Sequence, residues 1–137
     1  QVESLDKYLR LLRHKPAELD TLFRELLIGV TSFFRDPPAF EALRELALLP
    51  LMNERPPTQP LRVWVPGCST GEEAFSIAIL IQEAAEKLGR NIPAQIFATD
   101  IDHESIEKAR AAVFPASIAA LLARQLADLL ENPKPKP

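Results

Sequence analysis

Val63-Trp64-Val65-Pro66-Gly67-Cys68-Ser69-Thr70-Gly71-Glu72-Glu73 runs from an apolar, β-branched segment through two glycines into a pair of acids. Leu61 to Val65 is short, β-branched and aromatic, which predicts a buried strand. Glu72 to Leu88 carries Phe75, Ile77, Ala78, Leu80, Ile81 and Ala85 at helical spacing, and Gly89 stops it. A second strand is predicted over Ala94–Thr99, closed by Asp100-Ile101-Asp102, with another helix from His103 to about Val113. Strand, glycine loop, helix, strand, acid, helix is the opening of a parallel Rossmann-like sheet, so the fold class is α/β.

The loop also contains Gly67-x-Ser69-x-Gly71, the pattern of a hydrolase nucleophile elbow. Such an elbow needs a downstream acid and a histidine brought back by later strands. The histidine that follows Ser69 is His103, one residue beyond Asp102, and only one strand precedes the loop. The elbow lacks its context, and Ser69 is read as a loop serine capping the helix. A Walker-type phosphate loop fails because Glu72, not Lys-Ser/Thr, follows Gly71, and two carboxylates would repel a triphosphate. A dinucleotide Gly-x-Gly-x-x-Gly is absent as well.

The loop suits a ligand that has a positive group and no phosphate. Its glycines let backbone approach closely, and Glu72 can pair with an ammonium. Asp100 ends the second strand, where nucleotide-binding folds place the acid that accepts ribose hydroxyls. A ribose and an ammonium without phosphate describe S-adenosylmethionine. Each acid also has a plainer reading. Glu72 and Glu73 suit the first turn of any helix through the macrodipole, and Asp100 or Asp102 could be the N-cap of the next helix. The combination at these topological points is what favours a ligand.

Upstream the pattern is helical. Ser4 is a candidate N-cap for a helix carrying Leu5, Tyr8, Leu9, Leu11 and Leu12. Pro16 interrupts it, and a second helix carries Leu19, Leu22, Phe23, Leu26 and Leu27 up to Gly29. Thr31 to Pro38 reads as a loop or turn, with Asp36 as N-cap of a helix reaching about Leu49. Pro50 to Pro60 is proline-rich and polar. The organisation expected is a helical domain over 1–50, a linker over 51–60 and a partial Rossmann-like domain over 61–137. Ser117 to Leu130 is leucine- and alanine-rich and predicts a last helix before a proline-lysine tail.

Composition narrows the classes. A chain of 137 residues with 47% hydrophobic residues can bury one real core. A net charge of −3 supplies no basic field for nucleic acid or an acidic membrane. One cysteine, Cys68, excludes an internal disulfide, and no metal site is expected. Cys68 reads as a small buried side chain, since no histidine adjoins it. No apolar run approaches the ~20 residues of a membrane span, and the polar amino terminus reads as cytoplasmic.

Val63 to Ser76, followed by Phe97-Ala98-Thr99-Asp100-Ile101-Asp102, resembles the CheR-type chemoreceptor glutamate methyltransferases, most closely those fused to CheB-type methylesterase domains. Leu26 to Pro37 is similar to the stretch that ends that family's amino-terminal helical domain. The resemblance implies a helical subdomain followed by the first part of a Rossmann-like S-adenosylmethionine-dependent methyltransferase sheet. It implies a protein-glutamate O-methyltransferase whose partner is the cytoplasmic region of a chemoreceptor or another signalling protein. Carried over by motif, Thr31 and Arg35 reach the cofactor's carboxylate end, Glu72 holds its amino group and Asp100 its ribose. Arg35 suits a carboxylate because guanidinium pairs it bidentately; the plainer reading is a surface arginine beside Asp36. Phe33 and Phe34 read as the apolar joint between the domains.

No catalytic residue is nominated, because a sulfonium is already activated and positioning supplies most of the rate. Two departures from the family stand out. Gly29 replaces an asparagine common in the family, and nothing after Phe114 matches the family's later strands or its Cys-Arg-Asn motif. The chain is therefore expected to be a truncated member, or one completed by a partner. The alternative is a non-catalytic signalling fragment that binds a partner protein. An exposed sheet edge invites association, so the last helix is expected to pack over that edge or the chain to form a homo-oligomer.

Overall fold

The computed structural model describes residues 4–27 and 29–120. The chain divides into two compact units, Gln1–Val30 and Thr31–Pro137.

The first unit is a pair of helices, α1 (Leu5–His14) and α2 (Pro16–Leu26). Ser4 caps α1 by accepting the Lys7 N–H at 3.4 Å. Pro16 takes the first position of α2, where a missing N–H leaves no bond unmade. The Tyr8 hydroxyl donates to Glu18 at 3.4 Å and ties the helices together. The second helix stops at Leu26, three residues short of the Gly29 expected to end it.

The second unit begins with a long helical stretch. Asp36 accepts the Ala39 N–H at 3.4 Å and caps α3 (Pro37–Ala42), which passes through a π-helical turn (Leu43–Leu48) into α4 (Leu49–Glu54). The helix thus continues past Leu49, the end predicted for it. Pro50 has no N–H, and its ring would collide with the carbonyl four residues back in a regular α-helix; the wider turn before it accommodates the ring. Arg90 finishes α4, its guanidinium donating to the carbonyls of Met52 (2.8 Å), Asn53 and Arg55 (2.6 Å). Arg55 in turn donates to the Pro60 carbonyl at 2.8 Å. The stretch read as a linker is held in place by these bonds, and its Met52 is fully buried.

Strands β1 (Leu61–Pro66) and β2 (Ala94–Thr99) are parallel, with Leu61 opposite Ala94 and Pro66 opposite Thr99. Helix α5 (Glu72–Leu88) connects them, and α6 (His103–Ala111) follows β2. The core gathers Leu61 and Val65 of β1, Ile77, Leu80, Ile81 and Ala84 of α5, and Phe34, Phe40, Leu48 and Met52 from the preceding segment. Phe33 and Phe34, expected at a joint between domains, are both buried in this core. Phe33 and Phe75 each meet Phe114 edge-on, at 5.0 and 5.4 Å between ring centroids.

Only one face of the sheet is covered by described residues. Alternate strand residues point to opposite faces, so Val65 is buried while Trp64 is 68% exposed. Phe97, directly opposite Trp64, is 46% exposed and lies under the Arg62 guanidinium at 5.2 Å. The buried strand predicted over 61–65 is therefore buried on one side. Of the helix predicted over 117–130, residues 121–130 lie outside the described residues, as does the tail after them. Among the described residues, no helix is long and apolar enough to cross a membrane.

Candidate functional site

The turn from β1 into α5 uses left-handed backbone three times, at Gly67 (φ 65°), Ser69 (φ 47°) and Gly71 (φ 99°). Gly67 faces open space, so only its φ demands glycine. Gly71 is constrained twice: a Cβ there would meet Phe75 Cε2 at 3.0 Å and Ala109 Cβ at 3.1 Å. Between them the Cys68 N–H donates to the Thr99 carbonyl at 3.0 Å, which extends the strand ladder by one bond. The Gly71 N–H closes back on the Cys68 carbonyl at 2.9 Å. A tight loop thus sits at the carboxyl ends of both strands, where open α/β sheets bind ligands.

Asp100 holds this loop. Its Oδ2 accepts the Ser69 N–H at 2.7 Å and its Oδ1 accepts the Asp102 N–H at 2.8 Å. One carboxylate therefore ties the glycine loop to the turn after β2, and each oxygen keeps a second lone pair for a ligand hydroxyl. Asp102 is the N-cap of α6, accepting the Glu104 N–H at 3.1 Å and the Ser105 hydroxyl at 2.6 Å. The Ser105 bond is the main reason its carboxyl is held below the usual carboxylate range.

Ser69 does not cap α5 as expected. Gly71 takes that position, and the Ser69 hydroxyl is buried with no hydrogen-bond partner among the described residues. The carboxylate of Glu72, half-buried, accepts the Thr70 hydroxyl at 2.6 Å. Cys68 is buried beside the loop, and burial, then the charge of Asp100, pushes its thiol pKa up. A thiol so placed is not a nucleophile. Native protein at neutral pH is expected to resist a thiol reagent and to label fully after denaturation in urea; prompt native labelling would contradict the burial.

The segment from Thr31 to Asp36 lies in the same unit as the loop. Arg35 and Glu73 line one groove of about 560 Å³ with Asp36, Phe40, Leu43 and Ile77. Of the four predicted site residues, Asp100 is bonded to the loop that leads into Glu72, and Arg35 shares a groove with the neighbour of Glu72. Thr31 is half-buried, and no hydrogen bond among the described residues joins it to Glu72 or Asp100. Sequence reasoning passed over Ser76. Its signal was a serine inside the apolar stripe of α5, between Phe75 and Ile77. Its hydroxyl is buried and donates to the Glu72 carbonyl at 2.7 Å while accepting the Phe34 N–H at 3.0 Å.

A parallel β–α–β unit with a glycine loop and a strand-end acid defines the nucleotide-binding half of a Rossmann-like fold. Carboxylates stand here where phosphate binders place amides or lysine, and the buried Ser69 hydroxyl lacks a partner among the described residues. That donor set fits S-adenosylmethionine. Residues 29–133 match the family model described as "CheR methyltransferase, SAM binding domain", and the chain belongs to this methyltransferase family, whose cofactor is S-adenosylmethionine. The chain is 48% identical over 120 residues to an uncharacterised 104.1 kDa protein in the hypE 3′ region of Rhodobacter capsulatus, covering 88% of this chain and 13% of that one. It is 40% identical over 101 residues to putative methyltransferase Cher3 of Pseudomonas putida, covering 74% and 34%. It is 37% identical over 112 residues to chemotaxis protein methyltransferase 2 of Pseudomonas aeruginosa, covering 82% and 38%. The chain thus spans well under half the length of each of these relatives.

Proposed function

We propose that this domain holds S-adenosylmethionine for methyl transfer to glutamate side chains in the cytoplasmic region of a chemoreceptor. The observation that carries the reading is the Asp100 carboxylate, which joins the glycine loop and the turn after β2 into one site. Relatives bearing the name chemotaxis protein methyltransferase support a target within the chemotaxis system.

In this reading Asp100 accepts the ribose hydroxyls with its remaining lone pairs. Glu72 pairs with the ammonium, its orientation set by the Thr70 hydroxyl. Arg35 and Thr31 serve the carboxylate end, Arg35 through its two parallel N–H donors. The Ser69 hydroxyl gains the partner it lacks among the described residues. Bound cofactor supplies an activated methyl on a cationic sulfur. No proton need change hands, since a glutamate side chain is ionised at neutral pH. The task left to this chain is to position, and positioning alone can be worth several powers of ten in rate.

Calorimetric titration of S-adenosylhomocysteine into the purified chain tests this. Glu72→Gln keeps the shape and hydrogen-bonding oxygen but removes the charge, and a loss of about tenfold in affinity is expected for one partly exposed charge-assisted contact. Unchanged affinity would remove Glu72 from the site. Absence of binding by well-folded wild-type protein would instead favour the non-catalytic interaction fragment.

A further inference from the structure

We propose that Ser76 is a positioning residue for cofactor binding: through the Phe34 amide it sets the turn that presents Arg35 to the ligand's carboxylate. The inference rests on the reading above that Arg35 pairs with that carboxylate. Ser76 is fully buried one turn into α5. Donation to the Glu72 carbonyl, at 2.7 Å, is the ordinary back-bond of a helical serine. Acceptance of the Phe34 N–H at 3.0 Å is not ordinary, because that amide comes from a segment 42 residues away. One hydroxyl therefore links the first turn of α5 to the segment carrying Arg35.

That segment needs such a link. Phe34 has φ 47°, a left-handed conformation that a bulky side chain takes only when its surroundings enforce it. Its ring is fully buried and meets Phe40 edge-on at 5.1 Å, which anchors the side chain. Ser76 anchors the main chain. On the other side of Arg35, Asp36 is fixed as the cap of α3. Arg35 is thus bracketed, with the first bracket tied to the turn of α5 that bears Glu72 and Glu73. Without the Ser76 acceptor the Phe34 N–H would be buried unpaired, a state that proteins avoid by relaxing the backbone. Relaxation to negative φ would re-aim Arg35.

The test is a double-mutant cycle on S-adenosylhomocysteine affinity, measured by calorimetry with wild type, Ser76→Ala, Arg35→Ala and the double variant. Each single change is expected to weaken binding about tenfold, and the double variant to be no weaker than Arg35→Ala, because coupled residues are non-additive. Hydrogen exchange adds a second readout: the Phe34 amide should exchange faster in Ser76→Ala while the Leu80 amide keeps its protection. Should Ser76→Ala not fold, Ser76→Cys, with a weaker acceptor of similar size, is expected to show the same coupling at smaller amplitude. Additive effects, or a Ser76 variant that binds like wild type while Arg35→Ala is impaired, overturn the proposal alone. Undiminished binding by Arg35→Ala, or none by wild type, overturns the carboxylate reading and the proposal with it.

Discussion

Asp100→Asn is expected to weaken S-adenosylhomocysteine binding by about a hundredfold, near 2.7 kcal/mol. Asp100 uses both oxygens within the protein, on the N–H groups of Ser69 and Asp102. An asparagine has one oxygen. Whichever way its amide turns, one of those N–H groups faces an NH₂ instead of an acceptor. A hydrogen bond to a charged group is worth about 1.5–3 kcal/mol, and under the proposed reading one of the two oxygens offered to the ribose is lost in the same change. The loop around Ser69, at φ 47°, then has less to hold it in its left-handed turn. Calorimetry beside urea denaturation separates the two consequences, since a purely structural role would lower stability and leave the affinity of the folded fraction alone. Binding within about twofold of wild type would remove Asp100 from the site.

The second large effect is expected at Gly71. Gly71→Ala should cost about 3 kcal/mol of folding stability, of which roughly 1–2 is the left-handed backbone and the rest the forced contact. The contact is with Phe75 at 3.0 Å and Ala109 at 3.1 Å, the second being a Cβ with little freedom to retreat. Gly67→Ala is the internal control. Gly67 has a similar backbone requirement at φ 65° but open space around it, so its cost should stop at about 1–2 kcal/mol. Urea denaturation of the two variants isolates the packing contribution. Equal costs would mean that α6 gives way easily and that the close approach of loop and helix is not what selects glycine at Gly71.

Much of this is legible in the sequence, for a common reason. Ser4, Asp36 and Asp102 cap their helices as local chemistry dictates, each reaching an amide two or three residues on. Gly89 ends α5 in the left-handed region at φ 59°, and the two strands begin and end near where β-branched runs meet proline, glycine and acid. These are short-range signals, so composition over a few residues contains them. The helix through Pro50 escaped because a proline ordinarily argues for a break, and only packing of Met52 and the Arg90 donors around α4 makes the π-helical detour worth forming. The exposed face bearing Trp64 and Phe97 escaped too, since an apolar strand does not say how many of its faces are covered.

The sequence alone determined that a glycine loop joins a strand to an acid-rich helix and that an acid closes the next strand. Those features are encoded by residue type and spacing. Tertiary structure decided what each polar group does there. Asp100 grips the loop across 31 residues of chain, Ser76 reaches the Phe34 amide across 42, and the Ser69 hydroxyl is left buried without a partner among the described residues. A hydrogen bond between distant residues depends on where the core brings the backbone, and no local pattern records that.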